Sequence, residues 1–322
     1  MLNIGILGAA GIAPNAIIKP ALRRDDVTVT AVGARSGERA RAYAAEWDLP
    51  RAYSSYDEVL SHSEVDVVYN ALPPSEHARW SIAALEAGKD VLCEKPFAMN
   101  AREARSVIET AQRTGKRVIE AFHDRYHPLS AEISRLAAPD QLGTIHYVEA
   151  RFTVDNPFDP FSIRHDPAVG GGALMDLGCY PVHWARTLFG SEPTVHTASA
   201  TRNELGADRS IEATLGFGSA TALIVASMAE PTLTASLHVE AERGTLHVEP
   251  VCFPHRGHAI VRHVDGIEYV STVAGFTTYD HQLEALVHGL STGTPMLTEG
   301  DDIMGNMVVI DAIYAAAGFA RP

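Results

Sequence analysis

The feature that most restricts this chain stands at its N-terminus. Leu2 to Leu7 is a short hydrophobic run of strand character, and it passes directly into Gly8-Ala9-Ala10-Gly11-Ile12-Ala13. A segment of helical character follows from Pro14 to about Arg24, and a second apolar strand runs from Val27 to Ala34. Strand, glycine turn, helix and strand in this order make a βαβ unit, which commits the chain to a doubly wound parallel sheet. Gly8 makes the tight turn. Ala10 takes the second position of the fingerprint, where a small residue lets backbone approach a pyrophosphate, and Ala13 takes the third, where helix and strand pack closely. Gly8, Ala9, Ala10, Gly11 and Ile12 are therefore expected to cradle a dinucleotide, with the following helix N-terminus facing its phosphates.

The end of the second strand addresses which dinucleotide. An acidic residue there would accept from the ribose hydroxyls of NAD. This strand ends instead in Arg35 and Ser36, with Arg39 four residues beyond Arg35. Two guanidinium groups and a hydroxyl suit a 2′-phosphate, at about 1.5–3 kcal/mol for each charge-assisted hydrogen bond. The expected cofactor is NADP, with NAD less favoured.

The strand Val65–Ala71 leads into Leu72-Pro73-Pro74-Ser75-Glu76-His77, with Ser75 read as the cap of the next helix. Leu72, Pro73 and His77 then lie at the sheet edge where the nicotinamide half would sit; His77 reads equally well as a surface residue at a helix start. Asp90-Val91-Leu92-Cys93 forms the next strand, and Glu94, Lys95 and Pro96 follow at once. Ligands of open α/β sheets bind beyond the carboxyl ends of the strands, so Lys95 and Glu94 fall at the expected ligand edge. A lone lysine after a strand is also a common surface feature. A helix over 100–114 and a strand over 117–122 complete a six-strand domain, 1–122.

A second domain is expected over 123–322. It opens on His123-Asp124-Arg125-Tyr126-His127-Pro128. A long strand is expected over 144–154, and from Val195 to Val273 the sequence alternates in strand fashion with turn residues between runs, which reads as an open, mostly antiparallel sheet. Two helices, about 278–291 and 300–317, close the chain. A length of 322 residues fits two domains, and a net charge of −14 with no basic cluster argues against nucleic acid or an anionic membrane as partner. No apolar run reaches the roughly 20 residues of a membrane span. A strand at residues 2–7 leaves no room for a signal peptide, and Cys93, Cys179 and Cys252 have no paired spacing, so a reducing, cytoplasmic location is expected. His255, His258 and His263 lack an acidic or cysteine partner nearby, and no metal site is expected.

Gly170-Gly171-Gly172-Ala173-Leu174-Met175-Asp176-Leu177-Gly178-Cys179-Tyr180-Pro181 is the second loaded stretch. Asp176 and Tyr180 are four apart and share a face if the segment is helical, although Pro181 disturbs the helix there. A tyrosine beside a lysine can exchange a proton. A buried tyrosine and a capping aspartate would look the same.

With these stretches together, the chain resembles the Gfo/Idh/MocA family of NAD(P)-dependent oxidoreductases over essentially its whole length. The resemblance rests on residues 5–13, 71–77, 91–96, 121–128 and 170–181. It looks closest to the branch holding glucose-fructose oxidoreductase, NADP-dependent xylose dehydrogenase and dimeric trans-dihydrodiol dehydrogenase. The resemblance implies Lys95 as catalytic lysine, Tyr180 as proton-transfer residue and Asp176 as its neighbour. It implies Arg35 and Arg39 as 2′-phosphate ligands, and substrate contacts from Arg125 and Arg164, with Tyr126 beside them. It further implies a homodimer or homotetramer built through the C-terminal sheet. The expected activity is hydride transfer at a carbinol or carbonyl carbon of a sugar or polyol. A dihydrodiol, ketone or imine substrate, and a non-catalytic NADP sensor, are the alternatives.

Overall fold

The computed structural model describes residues 1–319. Two compact units are present, one made of Met1–His123 with Tyr279–Met304, the other of Asp124–Thr278 with the chain from Gly305. The sequence reading kept everything after residue 122 in one domain, and here it is corrected. The returning segment is tied to the first unit by polar contacts that no local pattern announces. Arg117 donates to the Glu299 carboxylate at 2.9–3.1 Å and to the Gly289 carbonyl at 2.6 Å. Thr298 Oγ1 donates to the Glu120 carbonyl at 2.6 Å, and Arg23 pairs with Asp280.

The sheet of the first unit is wholly parallel, with β1 (Leu2–Leu7), β2 (Val27–Gly33), β3 (Arg51–Tyr53), β4 (Val67–Asn70), β5 (Asp90–Cys93) and β6 (Val118–Glu120) in the order β3-β2-β1-β4-β5-β6. The order reverses between β1 and β4, and ligands of such sheets bind beyond the carboxyl ends of the strands at that point. The strands read as continuous apolar runs because helices cover both faces of a doubly wound sheet. These are α1 (Lys19–Ala21), α2 (Gly37–Glu46), α3 (Tyr56–Leu60), α4 (Pro74–Glu86) and α5 (Ala101–Thr114). Ser36, Ser55 and Asn100 cap α2, α3 and α5 by accepting from the backbone N–H three residues on. Ser75 does not cap α4. That helix starts one residue earlier, at Pro74, whose fixed φ suits a first helical position.

The second unit carries an eight-stranded sheet in the order β14-β13-β12-β11-β7-β10-β9-β8. Its strands are β7 (Ile145–Asp155), β8 (Thr194–Arg202), β9 (Asp208–Phe217), β10 (Ala220–Ser227), β11 (Ala229–Ala241), β12 (Gly244–Glu249), β13 (Ala259–Val264) and β14 (Ile267–Ser271). All pairs are antiparallel except β7 with β10. Along β7, Val148, Ala150 and Phe152 are buried while Tyr147, Glu149 and Arg151 remain partly exposed, so one face packs inward. Helices α6 (Pro128–Leu136), α7 (Pro139–Leu142) and α8 (Cys179–Phe189) belong to this unit, and α9 (Thr278–Thr292) and α10 (Asp301–Ala316) close the chain.

Candidate active site

Of two π-helical turns, Pro14–Ile18 falls directly after the glycine loop and Leu174–Gly178 inside the glycine-rich stretch 170–181. Such wide turns concentrate at functional sites. The first follows the glycine loop. Gly8 adopts φ +98°, and a Cβ on it would stand 3.1 Å from Leu72 Cδ2 and 3.3 Å from the Ala71 carbonyl oxygen, so the loop lies against the turn after β4. A Cβ on Gly11 would meet only open space. The loop carbonyls are engaged: Arg39 Nη2 donates to Ala9 O at 2.9 Å and Tyr43 Oη to Ala10 O at 3.0 Å. Among the described residues, no protein acceptor takes the backbone N–H groups of Ala9, Ala10, Gly11 or Ile12. A glycine-turned loop with unpartnered amides, flanked by exposed Arg35, Ser36 and Arg39, fits a phosphorylated dinucleotide.

In α4, His77 is buried, with Nε2 2.7 Å from Leu72 O and Nδ1 2.9 Å from Pro96 O. The sequence reading left His77 open between a cofactor contact and a surface residue at a helix start. Its ring is instead enclosed by protein backbone, and it ties the turn after β4 to the turn that carries Lys95. Burial holds its pKa down at about 4, against the weaker opposing pull of the two carbonyls. Glu94 accepts from the hydroxyl of Tyr69, a fully buried side chain on β4. Lys95 follows, half-buried, where β5 has ended.

In the second unit the wide turn Leu174–Gly178 runs into α8, which places Pro181 near its N-terminus. The helical backbone continues through this stretch, but as a π-turn up to Gly178, so the regular α-helical repeat that the i, i+4 spacing of Asp176 and Tyr180 suggested is widened there. Tyr180 is buried, its ring 5.6 Å from that of Phe152 and 6.2 Å from that of Trp184. Asp176 Oδ2 accepts from Arg164 Nε at 3.0 Å, which brings two of the expected site residues together. Arg125 donates to Ser130 Oγ at 3.0 Å. The neighbouring Asp124 is buried, receives Trp184 Nε1 at 2.6 Å, and has its pKa raised by that burial.

Two residues that organise these sites escaped the sequence reading. Tyr43 lies four residues beyond Arg39 on α2, a spacing that carries the signal. Asp208 is remote in sequence and had none; its carboxylate accepts from Leu174 N and Tyr314 Oη, both at 2.7 Å.

Family models fit both parts of the chain. Residues 2–122 match the oxidoreductase family with an NAD-binding Rossmann fold, and residues 131–247 match the Gfo/Idh/MocA C-terminal domain. The chain belongs to the Gfo/Idh/MocA oxidoreductase family. Within it, the chain is similar to D-xylose 1-dehydrogenase (NADP(+)) 2 of Haloferax volcanii, with 32% identity over 98% of this chain and 97% of the relative. It is also similar to the trans-1,2-dihydrobenzene-1,2-diol dehydrogenase of Xenopus tropicalis, with 31% identity over 69% of this chain and 67% of the relative. The crystal structure of an aldose-aldose oxidoreductase from Caulobacter crescentus complexed with glycerol superposes with a TM-score of 0.90, at 26% identity over 98% of this chain and 97% of the other. The Gfo/Idh/MocA assignment thus covers both units.

Proposed function

We propose that the chain is an NADP-dependent oxidoreductase of a sugar or polyol. The observation that carries the cofactor choice is the end of β2, where Arg35, Ser36 and Arg39 replace the acidic residue and Arg39 already lies against the phosphate loop. A bound NADP supplies the hydride acceptor, or the donor in the reverse direction. Gly8 to Ile12 hold its pyrophosphate, Arg35, Ser36 and Arg39 its 2′-phosphate, and Leu72 and Pro73 line the turn nearer the nicotinamide. Tyr180 takes the hydroxyl proton of the carbinol at its phenolic oxygen and returns it in the reverse direction. Lys95 supplies the positive charge that favours the tyrosinate and polarises the substrate oxygen. Asp176, held by Arg164, orients a substrate hydroxyl. Arg125 and Tyr126 complete the substrate contacts.

The paired Asp176 and Arg164 favour a polyhydroxylated substrate. The aromatic surroundings of Tyr180, Phe152 and Trp184, keep a dihydrodiol as the second reading. The same proposal includes a cytoplasmic location, supported by three buried free thiols, and a homo-oligomer built through the outward face of the eight-stranded sheet.

The test is cofactor reduction across aldoses, polyols and dihydrodiols, with NADP and NAD in parallel. An aldose or polyol is expected to give NADPH, with Lys95→Ala and Tyr180→Phe each slower by ~10²–10⁴-fold. Turnover that survives both substitutions would remove these residues from the mechanism. Turnover with dihydrodiols alone would transfer the assignment to the second reading.

A further inference from the structure

We infer that Tyr43 is a positioning residue for the dinucleotide, and that Arg39 shares this task while it reads the 2′-phosphate. The inference rests on the NADP reading above. Arg39 and Tyr43 stand four apart on α2 and therefore on one helical face. They hold two successive carbonyls of the phosphate loop, Arg39 that of Ala9 and Tyr43 that of Ala10. A peptide unit is planar and trans, so its C=O and the following N–H point in opposite directions. With the Ala9 and Ala10 carbonyls drawn toward α2, the N–H groups of Ala10 and Gly11 are turned away from it. Those are among the amides that find no protein acceptor among the described residues. The clamp thus sets the direction of donors that a pyrophosphate would meet.

Packing supports a fixed clamp. Ala9, Ala34 and Ala40 form a small buried cluster with Tyr43 against it, so loop, strand end and helix meet through small side chains. Burial also raises the Tyr43 pKa, which keeps the phenol a donor through the neutral range. The two clamping side chains differ in what remains to them. A phenol has one O–H and spends it on Ala10. A guanidinium has five N–H donors, and those not bonded to Ala9 remain for a phosphate. Tyr43 therefore serves the loop alone, whereas Arg39 couples the loop to the 2′-phosphate site.

The test is equilibrium binding of NADP, NAD and 2′-AMP, the last carrying the 2′-phosphate without any pyrophosphate. Wild type, Tyr43→Phe and Arg39→Ala are titrated with each. Tyr43→Phe is expected to weaken NADP and NAD by the same factor, roughly three- to tenfold, and to leave 2′-AMP unchanged. Arg39→Ala is expected to weaken 2′-AMP and NADP most and NAD by a smaller but measurable factor. Unchanged dinucleotide affinities in Tyr43→Phe overturn the inference. So does an equal loss for 2′-AMP, which would mean that the substitution merely disturbs α2. Unaltered NAD affinity in Arg39→Ala removes Arg39 from the clamp and leaves it a reader of the phosphate alone. A wild-type protein that binds neither dinucleotide overturns the cofactor reading itself, and the clamp with it.

Discussion

His77 shows how a residue can be placed by its sequence neighbourhood while its contacts stay hidden from it. Its position after a Pro-Pro turn located it at the ligand edge of the sheet. What the sequence does not carry is that both ring nitrogens face carbonyl oxygens, Leu72 O and Pro96 O. A neutral imidazole has one N–H, so it donates to one of these at a time. The linkage has a definite sign. In the unfolded chain this histidine protonates near pH 6.5, whereas in the folded protein burial holds it neutral down to about 4. The unfolded state therefore binds more protons between these values, and stability falls as pH is lowered through that window. The difference corresponds to roughly 3 kcal/mol lost by pH 4 and fully present above pH 6.5. Urea unfolding of wild type and His77→Gln at a series of pH values is the check. The variant should be less stable at pH 7 and show a flatter profile between pH 6.5 and 4. Parallel profiles would mean that His77 does not titrate in this way.

At the scale of elements, the strands were legible and the turns between sites were not. Most strands of the described residues correspond to apolar or alternating runs, because a buried sheet face needs such runs whatever its function, whereas the short β3 and the exposed β14 do not. Arg35, Ser36 and Arg39 were legible for a similar reason, since a strand end followed by a helix start leaves few places for them to go. The wide turn before α8 was not legible, because its support comes from Asp208 on another strand and Tyr314 on the last helix. Two glycines before it are fixed by close neighbours, Gly172 by that same Asp208 and Gly171 by the backbone at 163–164. Gly172 adopts φ +133°, and a Cβ there would come within 2.0 Å of Asp208 Oδ1; a Cβ on Gly171 would stand 2.6 Å from the Ile163 carbonyl oxygen. Gly172→Ala thus meets both a strained backbone and a displaced carboxylate that holds Leu174 N. Such overpacking costs ~1–3 kcal/mol. A thermal melt should show that loss, and an activity assay should show reduced turnover if Tyr180 has the role proposed above, since the turn leads directly to it. A variant as stable and active as wild type would show that Asp208 has another way to settle.

At the scale of the molecule, the outward face of the eight-stranded sheet bears on assembly. Thr214, Leu223, Glu149, His238 and His247 form one cross-strand row on it, with Val261 next in register. An apolar residue with a threonine on one side and a carboxylate on the other in such a row suits a self-complementary interface better than open solvent. If two copies meet there, light scattering should give a multiple of 34.6 kDa for wild type. Leu223→Arg should move the mass toward a single chain, and an unchanged mass would place any interface elsewhere. The division into units was the least legible property of all. The composition shift at His123 marks a boundary, yet nothing in residues 279–304 says that they pack beside the first strands rather than the last. That information lies in pairings such as Arg117 with Glu299, which join positions far apart in the chain.

Those pairings have a consequence for how the protein is made. β6 is the outer strand of the parallel sheet, and its neighbours in space are Thr298 and Glu299, through the backbone bond from Glu120 N to Thr298 O and a bridge between Ile119 and Glu299. A ribosome reaches residue 120 long before residue 299, and at ~5–20 residues per second the interval is roughly ten to thirty-five seconds. Throughout that time the nascent nucleotide-binding half carries an uncovered strand edge and an arginine at position 117 without its carboxylate. The half that is begun first is completed only when the chain has been made as far as Met304.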